Sequence, residues 1–280
     1  MKIGITGATG QLGTLVVEQL KKRGFSDNLV ALVRSKEKAK SLEIEAREFD
    51  YNNSESLEKA LIGIDRLVFI SANEIGQRAR QHKNVIDAAK KSNVNWIAYT
   101  SLLRADSSTL NLAGEHLTTE QELKTSGVNH TILRNGWYTE NYTASVPSAI
   151  ENGAFIGCTG DGKISSAARL DFAEALAIVI TNEEHKGKVF ELAGDESYTL
   201  TELAAEISNQ TGKNIPYNNL PEEAYASILL QVGLPEGLAK GLASWDVSAS
   251  NGDLFDDNHQ LSTLLGRPTT PLAKSISEVL

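Results

Sequence analysis

Residues 6–13 read Thr-Gly-Ala-Thr-Gly-Gln-Leu-Gly, so three glycines spaced G-x-x-G-x-x-G separate a short apolar run from a stretch of helical period. No other feature of the chain restricts its fold as much. A strand that passes at once into a helix through such a loop opens a βαβ unit. Gly7 permits the tight turn out of the strand, Gly10 lets backbone approach a ligand closely, and Gly13 lets the helix pack near the strand. The helix start then offers unbonded N–H groups and a partial positive charge, a binding place for an anion. Without a ligand the same residues would make a plain strand-to-helix turn. The placement between strand and helix favours a dinucleotide pyrophosphate.

The first half of the chain repeats this alternation. Strands are expected at 2–6, 28–33, 43–49, 65–71, 95–101 and 129–134, where short runs are rich in Val and Ile. Helices are expected near 11–23, 36–42, 54–61, 76–92 and 114–126, the last stopped by Gly127. Six strands alternating with five helices imply a doubly wound parallel sheet, with ligands beyond the carboxyl ends of its strands. After Arg134 the rhythm weakens. There a helix capped by Asp171, a further strand in "GKVFELAG" and a helix beginning near Thr199 or Thr201 are expected. The fold class is therefore α/β, a Rossmann-type doubly wound parallel sheet with a smaller C-terminal α/β lobe. Residues 1–134 are expected to form the dinucleotide-binding Rossmann domain, and 135–280 a smaller C-terminal substrate lobe, partly interleaved with the first.

Charge narrows the partners. Lys and Arg number 27 against 36 Asp and Glu in 280 residues, a formal charge of −9. This argues against nucleic acid or an anionic membrane, both of which need a basic footprint. Cys158 is the only cysteine, so no intrachain disulfide can form. No apolar run is long enough to span a bilayer, and the chain enters its first strand without a signal-peptide pattern, which reads as cytoplasmic. Self-association into a homo-oligomer is left open.

The end of the second strand selects the dinucleotide. NAD-selective proteins carry Asp or Glu there for the ribose 2′-hydroxyl. Here the segment is "ALVRSKEKAK", with Arg34, Ser35, Lys36 and Lys38. An arginine fork suits a 2′-phosphate, and an acid would repel it. The cofactor is read as NADP(H), with Asp50 a candidate acceptor for the adenine amino group. A solvated basic helix start would explain the lysines well and Arg34 less well.

A conventional alcohol dehydrogenase of this architecture uses a Tyr with a Lys four residues later, the lysine lowering the tyrosine pKa. Four residues after Tyr51, Tyr99, Tyr138, Tyr142, Tyr198, Tyr217 and Tyr225 stand Glu55, Leu103, Tyr142, Val146, Glu202, Pro221 and Leu229. None is lysine. Hydride transfer to a ketone yields a strongly basic alkoxide that needs a proton donor. Transfer to a quinone yields a delocalised hydroquinone anion that water can protonate. The missing pair points to quinone reduction or to no chemistry.

The segments "TGATGQLG", "ANEIGQRARQHKNVIDAAK", "IAYTSLL", "LRNGWYTENY", "FIGCTGDGKISSA" and "LFDDNHQLSTLLGRPTTPLAKSI" together resemble the bacterial type-2 NAD(P)H:quinone oxidoreductases, in the NmrA-like, atypical branch of the short-chain dehydrogenase family. The similarity runs almost end to end. It implies NADPH and a small-molecule quinone held between a Rossmann domain and a small lobe, in a family that also lacks the Tyr–Lys pair. Carried over by position, it implies that Gly7, Thr9, Gly10, Gln11 and Leu12 hold the pyrophosphate and Arg34 the 2′-phosphate. Ser71 and the "ANEIGQR" segment, including Gln77 and Arg78, match the wall after the fourth strand, and Asn135, Gly136, Trp137 and Tyr138 the segment beside the nicotinamide.

For catalysis the candidates are His116 and Tyr138. His116 lies four residues from Glu120 on one helix face, roughly where other branches carry the active-site lysine. It could orient a quinone oxygen or relay a proton, or be half of a surface His–Glu pair. Tyr138, Asn141 and Tyr142 are the substrate-binding candidates, with a packed hinge as their plain alternative. No cluster has metal-ligand spacing, and Cys158 reads as core. The leading expectation is NADPH-dependent quinone reduction by direct hydride transfer, without flavin or metal. The alternative is an NADP(H)-binding redox sensor of the NmrA type without turnover.

Overall fold

The computed structural model describes residues 1–280. In chain order the elements are β1 (Ile3–Thr6), α1 (Gln11–Lys22), β2 (Leu29–Val33), β3 (Glu45–Glu48), α2 (Ser54–Leu61), β4 (Arg66–Phe69), α3 (Arg78–Lys91), β5 (Trp96–Leu102), α4 (Ala113–Ser126) and β6 (Asn129–Asn135). There follow α5 (Glu140–Thr143), α6 (Val146–Asn152), β7 (Phe155–Gly157), α7 (Arg169–Thr181), β8 (Val189–Leu192), α8 (Leu200–Thr211) and β9 (Tyr217–Asn219). The chain ends with α9 (Glu222–Gln231), α10 (Glu236–Ser250), α11 (Gln260–Leu265) and α12 (Leu272–Ser277).

Two compact units share the chain. The first holds residues 1–106, 112–135 and 169–192, and the second 107–111, 136–168 and 193–280. In the first, seven strands form one parallel sheet in the order β3-β2-β1-β4-β5-β6-β8. Every residue of β1, β2 and β5 is buried, the signature of a parallel sheet covered on both faces. The edge strand β3 reads Glu-Ala-Arg-Glu, and its charges discourage pairing with another chain. Helices α2, α3 and α4 pack side by side, while α1 packs with α7. The chain runs outward from β1 to β3, then returns to β4 and runs the other way. That reversal opens a crevice beyond the carboxyl ends of β1 and β4. Thr6 closes the base of the crevice: its hydroxyl bonds the Ile70 carbonyl (3.2 Å) and accepts from the Ile70 N–H (3.0 Å).

Three expectations need correction. Residues 36–42 form turns and a 3₁₀ turn at Lys40–Leu42, not an α-helix. The sheet has a seventh strand, β8, added beside β6 after the long excursion through 136–168. Asp171 is not an N-cap but a fully buried residue of the first turn of α7, which starts at Arg169. Thr199 is the residue that caps α8, through a reciprocal box with Glu202. In the second unit β7 and β9 form a parallel pair, and α9 packs on α10.

Candidate active site

A cleft of about 570 Å³ opens at the crevice, within the size range of small-molecule sites. Its walls come from the carboxyl ends of β1 to β4. Gly7, Thr9, Gly10, Gln11 and Leu12 line it, with Arg34, Ser35 and Lys38 after β2, Asp50, Tyr51 and Asn52 after β3, and Ser71 to Glu74 after β4. Gly7 has φ +59°, a conformation glycine adopts without strain. A methyl group on Gly13 would stand 2.2 Å from the Gly7 carbonyl oxygen, so α1 lies directly on the turn. Gly10 caps α1 without a side-chain bond, and no acid occupies the first helical turn. The N–H groups of that turn are therefore left for a ligand anion. This bare, acid-free cradle fits a pyrophosphate.

Arg34 lies on the open rim, its side chain 73% exposed, and its Nη1 donates to Glu74 Oε1 at 3.2 Å. Asn73 and Glu74 fall in the "ANEIGQR" segment expected to form this wall, whereas Tyr51, Asn52 and Gln81, which also line the cleft, were not foreseen. The carboxyl end of β3 was the available signal for all but Gln81. Gln77 and Arg78 are absent from the lining. Arg78 is buried, and its Nε donates to the Ala72 carbonyl (2.8 Å), so it braces the wall from behind. Gln77 precedes α3 and its amide oxygen accepts from Arg80 (3.0 Å).

The wall from 70 to 78 is tied down by its backbone. The Ser71 N–H donates to Thr100 (2.9 Å), the Ala72 N–H to His82 Nε2 (2.9 Å), and the Gly76 and Arg78 N–H groups to Glu115 (3.1 Å each). His82 Nδ1 lies 2.9 Å from the Thr119 hydroxyl, which itself donates to the Glu115 carbonyl. Since Nε2 accepts, the proton of the neutral ring sits on Nδ1 and completes the chain. Next to it, Tyr99 Oη and His116 Nδ1 are 2.8 Å apart.

His116 and Glu120 are both buried, so the surface-pair alternative fails. Glu120 instead receives Arg134 through two bonds, 2.9 and 2.8 Å, and Ser101 at 2.7 Å. Arg134 also reaches Asp106 (3.0 Å) and Glu191 (2.8 Å). Burial, and secondarily the Arg78 charge, lowers the His116 pKa to about 3, and burial lowers that of His82 to about 2. Both rings are neutral at physiological pH. Asn135, at the end of β6, is buried with neither side-chain polar atom hydrogen-bonded.

The second unit holds the remaining candidates. Trp137 is buried, meets Trp245 edge-on at 5.8 Å, and leaves its indole N–H without a partner. Tyr138 is half-buried in a short bridge to Ala167, and Asn141 is half-buried in α5. Tyr142 is a correction to the substrate set: it is buried, and its hydroxyl donates to Asp246 at 3.3 Å. Asp246 also accepts from the Cys158 N–H (2.9 Å), and burial raises its pKa to about 6. Burial pushes the Cys158 thiol up to about 12, in keeping with a core residue. No group of three or more His, Cys, Asp or Glu is placed to hold a metal ion. No helix is long and apolar enough to cross a membrane.

Comparison with known proteins gives this geometry a context. Residues 7–183 match a family model described as NAD(P)H-binding. The chain is 55% identical over 280 residues to quinone oxidoreductase 2 of Escherichia coli, covering 99% of this chain and 98% of that protein. The crystal structure of that NADPH-dependent quinone oxidoreductase in complex with NADPH superimposes with a TM-score of 0.96 over 99% of both chains. The triphenylmethane reductase of Citrobacter sp., complexed with NADP(H), is 35% identical with a TM-score of 0.96 over 100% of both chains. The chain thus belongs to the NAD(P)H-binding family, in the type-2 quinone oxidoreductase group of the NmrA-like, atypical short-chain dehydrogenases.

Proposed function

We propose that the protein reduces small-molecule quinones with NADPH. When bound, the dinucleotide supplies a hydride from its reduced nicotinamide, without flavin or metal. The N–H groups of residues 11–13 hold the pyrophosphate, and Arg34, Ser35 and Lys38 face the 2′-phosphate. Asp50, whose Oδ1 also accepts from the Asn52 N–H (3.0 Å), takes the adenine amino group. Ser71 lines the same cleft, and Asn135, at the end of β6, has an unsatisfied amide that suits the polar end of the nicotinamide. Trp137 and Gly136 follow directly in the chain. For the quinone, Tyr138 and Asn141 are the proposed contacts.

The proton needs less machinery. His116 is held neutral, so it does not act as a charged acid at neutral pH. It is a positioning residue, and solvent protonates the delocalised hydroquinone anion. The observation that carries the proposal is the uncapped, acid-free start of α1 opening into a cleft whose rim bears Arg34. The 55% identity to a quinone oxidoreductase adds the substrate class. A cytoplasmic setting belongs to the same proposal, since that is where reduced dinucleotide is abundant, and the formal charge of −9 speaks against nucleic acid. The test is NADPH oxidation followed by absorbance, with and without a simple benzoquinone. Quinone-dependent turnover is expected. Tight NADPH binding with no turnover would favour the redox-sensor alternative.

A further inference from the structure

An acid at the end of β2 would disfavour a 2′-phosphate, and β2 ends without one. The fold nevertheless brings one there. Glu74, from the loop between β4 and α3, is 40 residues from Arg34 in sequence and bonds its guanidinium. Its second oxygen accepts from Gln81 Nε2 at 2.7 Å, and Gln81 is buried in α3. The flanking backbone is fixed at Ser71, Ala72, Gly76 and Arg78, so this carboxylate is held at the arginine. Both residues line the cleft, and strand order places the pair across the end of β1.

We propose that Glu74 is a specificity-determining residue that competes with the 2′-phosphate for Arg34 and so narrows the preference for NADPH over NADH. This rests on Arg34 being the 2′-phosphate contact. A dianionic phosphate reaching Arg34 either displaces the carboxylate or lies beside it, and both outcomes cost electrostatic energy. The uncharged 2′-hydroxyl of NADH meets neither cost and can donate to the same carboxylate. The preference for NADPH is thereby set below what Arg34, Ser35 and Lys38 would give alone.

The test is the dissociation constant of NADPH and of NADH, by calorimetry, for the full chain and for Glu74→Gln, Arg34→Gln and the double variant. Glutamine keeps the shape and can still accept from Gln81. Glu74→Gln is expected to tighten NADPH by about fivefold while NADH stays within about twofold, an exposed-pair magnitude. The gain should shrink at high salt and shrink in the Arg34→Gln background, where no arginine is left to compete for. Equal changes for both dinucleotides, or weaker NADPH binding, would overturn the inference. If Arg34→Gln alone leaves the NADPH-to-NADH ratio unchanged, the phosphate assignment itself fails and this inference falls with it.

Discussion

At the scale of single residues, two glycines make opposite use of a missing methyl group. A Cβ on Gly13 would meet the Gly7 carbonyl oxygen at 2.2 Å and Ala8 Cα at 2.8 Å, both backbone atoms that cannot turn aside. Gly13→Ala should destabilise the protein by about 1–3 kcal/mol and abolish NADPH binding. Gly114, exposed near the start of α4, has nothing within 4 Å of that position. Gly114→Ala should raise stability by up to about 1 kcal/mol through helix propensity. Denaturant midpoints of the two variants on either side of wild type would verify the pair. At Arg34 the charge reversal Arg34→Glu should weaken NADPH by about tenfold or more, the magnitude of a charged hydrogen bond, and NADH far less. Equal losses in titrations would contradict the phosphate assignment.

The element that organises the site is the connection from β4 to α3. Its shape depends on two side chains from outside it. Glu115 of α4 takes the Gly76 and Arg78 N–H groups and so stands in for a cap that α3 lacks. His82 takes the Ala72 N–H, one turn into α3. Replacing His82 with Leu leaves the partly buried Ala72 N–H without its acceptor, at about 1–3 kcal/mol, while Thr119 keeps its bond to the Glu115 carbonyl. Faster amide exchange at Ala72, with α1 unchanged, would mark the effect as local. This connection also explains what could be read in advance. Strands β1 to β6, the glycine loop and Arg34 follow from period and local order, which a single segment displays. Glu74 beside Arg34, Glu120 beside Arg134 and the Tyr99–His116 contact depend on which strands become neighbours. The spacing of His116 and Glu120 suggested a pair because helical period is visible, whereas the stronger claim of Arg134 on Glu120 comes from an adjacent strand. Tyr142 looked like substrate surface because Asp246 lies 104 residues away in sequence.

For the whole molecule, the buried titrating groups make opposing demands on pH. His82 and His116 have folded pKa values of about 2 and about 3, below the ordinary 6.5, so below pH 6.5 the unfolded chain binds more protons. Stability from these two is present above 6.5 and is lost as pH falls, by about 1.4 kcal/mol per pH unit for each. Asp246 is raised from 3.8 to about 6, so the folded chain binds more protons between those values. Its contribution runs the other way and is lost as pH rises toward 6. Near pH 5 one term cancels one of the other two, leaving a net slope of about 1.4 kcal/mol per unit. Asp246→Asn should steepen the acid slope to about 2.7 kcal/mol per unit and stabilise the protein above pH 6. Urea melts across pH 4.5–8 would reveal both changes, and parallel curves for wild type and variant would refute them.

The late arrival of β8 has a consequence for biosynthesis. A ribosome releasing this protein delivers the glycine loop first, yet the border strand beside β6 and the helix that covers α1 emerge only with residues 169–192. Until then the nascent sheet carries a naked edge next to β6, the kind of surface that recruits a second chain. Cutting the gene after the sixth strand would leave that edge permanently uncovered, so the nucleotide-binding half is not a portable module.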